Sequence, residues 1–353
     1  MFRPSETTTE PSQNRFRRAS IQMLVATAIC AVAGGAWANG TADALPEDTP
    51  ALRIVATVGM LGDVAARVGG DCAEVVTMMG PGIDPHLYQP RASDVRALQD
   101  ADLILYVGLQ LEGQLGDVLG RFGRQKATVA VGAESVPPEE RLADPDAPDS
   151  PDPHVWMDPR HWAGAADVIA NAIVQQRPTC ERHVRSGAAS FRDRAHALHD
   201  WIASAVATIP SERRVLITAH DAFGYYGHAY GMDVVGIQGI STDAEPSIAD
   251  IRAVADLLIE RAVPALFLES TLGTRTVQAV LDAARERGHD ARLGGTLYGD
   301  AMGEAGTAAG SYLGMMHANT VAITRALGGT VPPLPDALAP WAEANGIDVV
   351  GEE

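Results

Sequence analysis

The sequence predicts an α/β fold of two lobes, each a mostly parallel sheet flanked by helices, joined by one long α-helix. Three observations carry that expectation. Short β-branched runs alternate with helical patterns in both halves, the openings of the two halves are weakly similar, and one proline-free helical repeat lies between them.

Strands are expected first at Leu52–Thr57, Val75–Met79, Leu103–Val107 and Thr128–Val131, with helical patterns such as Gly62–Val68 and Ser93–Gln99 between them. The segment Pro137–Pro153 breaks the alternation. Its prolines stiffen it and its acids, set against the lone base Arg141, keep it solvated, so it reads as an exposed loop. Asp158-Pro159 then supplies an N-cap and a first-turn proline for a helix whose apolar face is Trp162, Ala166, Ile169 and Ile173. From Thr179 to Thr208, Val184, Ala188, Phe191, Ala195, Leu198, Ile202 and Val206 recur at helical steps. At about 1.5 Å per residue that helix would be roughly 45 Å long, a rigid spine rather than a flexible hinge. A second strand set follows at Val215–Thr218, Val234–Ile237, Ala265–Leu268 and Ala291–Leu293. Helices Ile248–Arg261 and Thr274–Arg287 lie among them, the latter stopped by Gly288. The implied organisation is a signal peptide 1–38, an N-terminal lobe 39–178, a linking helix 179–209 and a C-terminal lobe 210–353.

With 46% hydrophobic and 20% charged residues over 353 positions, the composition excludes a disordered chain. A formal charge of −18 repels phosphate backbones, which argues against nucleic acid as a partner. At the start, Arg15, Arg17 and Arg18 precede an apolar run from Ile21 to about Ala33, and Ala36-Trp37-Ala38 closes it. This is the pattern of a signal peptide, too short for the roughly 20 residues of a membrane span. An exported, periplasmic protein with no stable membrane insertion after cleavage is expected. The bulky Ile29 before Cys30 argues against a lipoprotein cleavage site, and the pair Arg17-Arg18 leaves general and twin-arginine export both open. Past the signal, Cys72 and Cys180 fit either a disulfide or two buried free thiols.

Of ten histidines, seven need no special role: His161, His183, His196, His199, His228, His289 and His317 sit in or beside helical patterns. His86 and His154 differ, because each closes the same tripeptide, Asp84-Pro85-His86 and Asp152-Pro153-His154. Proline presents the following side chain in a defined direction. The second half supplies counterparts: His220 directly after the strand Val215–Thr218, and Asp300 beyond Ala291–Leu293. Ligands of parallel α/β sheets collect beyond the carboxyl ends of strands, so facing lobes would close these four residues around one divalent ion. Three imidazole nitrogens and one carboxylate suit zinc and several other first-row divalent ions. Because each histidine must be neutral to bind, affinity is expected to weaken as pH falls through the histidine range. Asp84, Asp158, Asp221 and Glu269 are candidates to orient the histidines, although turn formation or surface charge accounts for each taken singly.

The stretches GPGIDPHLYQP with His86, DPHVWMDP with His154, ITAHDAFGYYGHAYGM with His220 and GGTLYGDAMGEAGT with Asp300 carry a resemblance. The chain resembles the metal-binding periplasmic components of zinc/manganese ABC importers, the cluster A-I solute-binding family, from about Ile54 to Leu327. That resemblance implies two α/β lobes joined by a long helix, with one metal between them and no catalysis. Its implied cargo is one Mn2+ or Zn2+ ion, and its implied partner an inner-membrane ABC permease with its cytoplasmic ATPase. A monomer is expected. Zinc-dedicated members carry a histidine-rich acidic loop before the second histidine, whereas Pro137–Pro153 contains no histidine. Many manganese members place Glu where this chain has His220, so its donor set resembles the mixed manganese/zinc type. The alternative is a periplasmic zinc metalloenzyme using the same cluster, but catalytic zinc keeps an open position and no HExxH sequence occurs. An adhesin is the third reading, weakened by the absence of repeats or a stalk.

Overall fold

The first half opens with β1 (Leu52–Val58), α1 (Gly59–Gly69) and β2 (Ala73–Met79), followed by α2 (Ala92–Asp100), β3 (Leu103–Tyr106), α3 (Leu115–Phe122), β4 (Ala127–Ala130) and α4 (Val131–Ser135). The computed structural model describes residues 50–144, 147, 148, 150–347 and 349, so the expected signal peptide 1–38 lies outside the described residues. All four strands run parallel in one sheet, ordered β2-β1-β3-β4. The near-continuous apolar run of β1 suits a strand covered on both faces, and all of its residues except Arg53 are buried. At the sheet edge β2 leaves Val76 exposed.

Two long helices follow. α5 (Pro159–Gln176) is capped by Asp158, whose side chain accepts from the Arg160 amide at 2.9 Å, and it buries Trp162, Ala166, Ile169 and Ile173. A short 3-10 turn at Pro178–Cys180 then delays α6 (Glu181–Ala207), a helix of 27 residues. At 1.5 Å per residue it is about 40 Å long. Its predicted apolar face from Val184 to Val206 is buried. Gly187 does not break it: a Cβ there would lie 2.8 Å from the Val68 carbonyl, so glycine lets α6 press directly on α1.

The second half comprises β5 (Val215–His220), α7 (Gly224–Tyr230), β6 (Asp233–Gln238), α8 (Ile248–Glu260), β7 (Ala265–Glu269), α9 (Arg275–Glu286), β8 (Arg292–Leu297), α10 (Tyr312–Ala326) and α11 (Ala339–Ala344). β5 pairs with β6 and β7 with β8, both in parallel, and β5 runs beside β7. The spatial sequence β6-β5-β7-β8 therefore repeats that of the first half. Two strand ends differ from expectation. His220 is the last residue of β5 rather than lying beyond it, since the strand continues past Thr218 and His220 pairs with Gln238 of β6. β8 begins at Arg292 and runs through Gly294 and Gly295 to Leu297 instead of stopping at Leu293. A Cβ at Gly294 would lie 2.5 Å from the Phe267 ring, so that glycine serves close approach between strands, not termination. No described helix is long and apolar enough to cross a membrane.

Cys72 and Cys180 form a disulfide across 108 residues of chain, tying the end of the first βα unit to the start of α6. Restricting so long a loop in the unfolded chain is worth about 2–4 kcal/mol. Replacing both cysteines by serine should lower the unfolding free energy by about that amount while the native spectrum is kept. An unchanged denaturation midpoint would show that the bond contributes nothing.

Candidate metal centre

Three of the four candidate donors, His86, His220 and Asp300, stand at or beyond the carboxyl ends of strands, where a parallel sheet leaves a crevice, and His154 stands before α5. His86 lies in the connection between β2 and α2, where Asp84 Oδ1 accepts its backbone N–H at 2.9 Å. His154 precedes α5, and Asp152 Oδ1 accepts its backbone N–H at 2.9 Å while lying 2.7 Å from ring Nδ1. At the end of β5, His220 donates its backbone N–H to Glu269 Oε1 at 2.8 Å, and Glu269 Oε2 lies 2.8 Å from ring Nδ1. Asp300 follows β8. The segments interlock, because Trp156 Nε1 donates to the Gly299 carbonyl at 3.0 Å and the Tyr312 hydroxyl donates to the Trp156 carbonyl at 2.8 Å.

Asp300 stands at the centre of the three imidazoles. Its Oδ1 is 3.2 Å from His154 Nε2, and its Oδ2 is 3.2 Å from His220 Nε2 and 3.5 Å from His86 Nε2. His86 Nε2 and His154 Nε2 are 3.3 Å apart, and one donor atom from each of the four residues lies within 4.8 Å of all the others. His86 is 5% exposed and the other three are at most 1% exposed. Neither Asp300 oxygen receives a hydrogen bond of good geometry. A carboxylate buried in that condition is costly, and a cation shared by the four donors would relieve it. Nitrogen and oxygen donors in this ratio fit zinc or another first-row divalent ion.

The electrostatics are arranged in pairs. Burial would lower the pKa of His154, but Asp152 and then Asp300 outweigh it and raise it to about 9. Burial acts in the same direction on His220, and Glu269 with Asp300 overcomes it, holding that histidine well above its ordinary value. Burial would raise Asp300; His220 and His154 instead hold it well below the usual carboxylate range. His86 goes the other way, lowered to about 4 chiefly by burial, with Asp300 opposing. Without metal, the carboxylates therefore favour the protonated rings of His154 and His220, while burial favours the neutral ring of His86. A dication bound to neutral imidazoles would take the place of those protons beside Asp300.

The structure thus brings His86, His154, His220 and Asp300 together. Glu269 is neither a turn former nor a surface charge, being 2% exposed and set against His220. Asp84 shapes the turn before His86 and accepts the Thr242 hydroxyl at 2.6 Å. Asp158 caps α5 and lies 3.3 Å from His199 Nδ1, outside the cluster. Asp221 follows His220, and burial raises its pKa to about 6. The sequence reading missed Asp152 as a partner of the His154 ring, although the repeated Asp-Pro-His tripeptide was its signal. His199 instead meets the Tyr230 hydroxyl at 3.0 Å, and His317 stacks on Trp201 with ring centroids 4.9 Å apart.

Residues 54–326 match the family described as zinc-uptake complex component A, periplasmic (ZnuA). The chain is 41% identical to the manganese-binding lipoprotein MntA of Bacillus subtilis over 78% of its own length and 90% of that protein. It is 38% identical to the zinc-binding protein TroA of Treponema pallidum, covering 83% of this chain and 94% of that one. The solved structure of the periplasmic zinc-binding protein TroA superposes with a TM-score of 0.76 at 38% identity, over 78% of this chain and 99% of that one.

Two outcomes are expected of the centre. Because the proton on metal-free His154 leaves near pH 9, affinity for Mn2+ should rise between pH 7 and pH 9. Isothermal titration in buffers of different ionisation enthalpy should register protons released on binding; a flat affinity with no release would contradict the paired arrangement. Replacing Asp152 by Asn, or Glu269 by Gln, should weaken binding about 10–100-fold without loss of fold, measured by competition with a chelator of known affinity.

Proposed function

This chain belongs to the family of periplasmic zinc-uptake components, and on that premise we propose that it captures one divalent ion, manganese or zinc, through His86, His154, His220 and Asp300. It delivers that cargo to an ABC importer, an inner-membrane permease with its cytoplasmic ATPase. The observation that carries the reading is the buried four-donor cluster, with Asp300, whose oxygens receive no hydrogen bond of good geometry, at its centre. Membership of a family of solute-binding proteins makes the chain a binding protein, not an enzyme. The chemistry agrees, since four protein donors fill a tetrahedral site and leave no position for a reactive water.

In this reading the lobes are 39–178 and 210–353, with 179–209 as the spine between them. The donor set divides evenly, His86 and His154 from the first lobe and His220 and Asp300 from the second. The mature protein is a periplasmic monomer, freed of residues 1–38 by cleavage. Manganese is the weaker binder in the divalent series, so zinc wins on affinity and manganese becomes cargo through availability or selection by the importer. The similarity to a manganese-binding and to a zinc-binding relative supports keeping both.

Native mass spectrometry of metal-stripped mature protein, titrated separately with Mn2+ and Zn2+, tests the reading. One tightly held ion is expected with either metal, and Asp300→Ala should abolish it. Retention of the ion by that variant, or several weakly held ions in the parent, would sink the proposed site.

A further inference from the structure

Two of the three imidazoles in the cluster are braced from behind by a buried carboxylate, and the third is not. Asp152 lies 2.7 Å from His154 Nδ1 and Glu269 lies 2.8 Å from His220 Nδ1. Among the described residues His86 Nδ1 meets no carboxylate; its close polar neighbours lie on Nε2 and on the backbone amide. The identical tripeptides make the difference plain. In the second, one Asp152 oxygen serves both the backbone amide and the ring of His154. In the first, one Asp84 oxygen takes the His86 amide and the other takes the Thr242 hydroxyl, so its charge acts on the ring only from a distance and does not hold it by contact. His86 is therefore placed through its backbone.

A second support reaches that backbone from the opposite side. Gly113 approaches so closely that a Cβ there would lie 2.4 Å from the His86 carbonyl oxygen. The segment 107–113 that presents Gly113 is unusual, with positive φ at Gly108 (79°), Leu109 (55°), Gln110 (70°) and Gly113 (43°). Residues with side chains resist that region, so something must hold the segment in shape. Glu112 does. It is 2% exposed and accepts hydrogen bonds from the Val107 amide at 2.6 Å, the Gly108 amide at 3.1 Å and the Thr57 hydroxyl at 2.8 Å. Thr57 belongs to β1, an interior strand of the sheet, so the buried Glu112 side chain fastens the segment to the body of the fold.

We propose that Glu112, outside the donor cluster, is the positioning residue for His86: through segment 107–113 and Gly113 it does for the third imidazole what Asp152 and Glu269 do by direct contact. The inference rests on the four-donor reading. It predicts that Glu112 affects metal only by way of His86.

A double-mutant cycle reads that dependence directly. Mn2+ affinity is measured by chelator competition for the parent protein, Glu112→Gln, His86→Ala and the double variant, each also loaded with Co2+ for its visible absorption spectrum. Glu112→Gln should weaken binding about tenfold in the parent and less than about twofold in the His86→Ala background, and its Co2+ spectrum should shift toward that of His86→Ala. Equal weakening in both backgrounds, or none in the parent, overturns the proposal. Should Glu112→Gln not fold, Gly113→Ala carries the same cycle, because it pushes on the His86 carbonyl while leaving the Glu112 side chain in place. Undiminished affinity in His86→Ala would overturn the four-donor reading, and this inference with it, which separates the two failures.

Discussion

A carboxylate removed from water must meet opposite charge, and Asp300 imposes that requirement on everything around it. It sits fully enclosed at the end of β8, and neither oxygen is spoken for by the surrounding backbone. Imidazoles supply what it lacks, His154 and His220 as rings whose protonated form is favoured and, in the proposed reading, all three as fellow donors to a shared cation. Those rings then need placing, and two further carboxylates do so for His154 and His220. The charges alternate outward from one oxygen pair, so removing a member leaves its neighbour uncompensated rather than merely weakening one contact.

The fold serves this arrangement by bringing strand ends together. Parallel strands in each half finish on the same side, and the repeated spatial order of strands gives each half an equivalent crevice. α6 is stiff along its length because it packs on α1, α5 and α10 rather than crossing solvent. Trp201 near its far end donates to the Pro332 carbonyl, which fastens the C-terminal segment to the same helix. A spine held at so many points limits how far the two crevices can separate.

Much of this was legible in the sequence where a physical period or a directional residue spoke. The steps from Val184 to Val206 announced α6, and the proline of each tripeptide announced a fixed histidine. His86, His220 and Asp300 were recognisable because they stand at or beyond strand ends, and His154 because it closes the same tripeptide as His86. Features resting on tertiary contact were not legible. The glycines of β8 look like a stop until Phe267 is seen against them, and Asp152 looks like the turn former Asp84 until the ring above it is placed. Glu112 is a lone acid in a glycine-rich segment with no period, and its role exists only through Thr57 and two amides brought to it by the fold. The pairing of Cys72 with Cys180 depends on α6 returning to the first sheet, which spacing alone does not reveal.

The disulfide and the donor cluster are two kinds of staple. One is covalent and permanent, and it welds the start of α6 to the half of the chain that carries His86 and His154. The other is the donor cluster, drawn from both sides of that helix, where hydrogen bonds from Trp156 Nε1 to the Gly299 carbonyl and from the Tyr312 hydroxyl to the Trp156 carbonyl already join the two sides without an ion. An ion bound there in the proposed way would be a reversible fastening added to a standing one, so its departure would leave the two sides still joined.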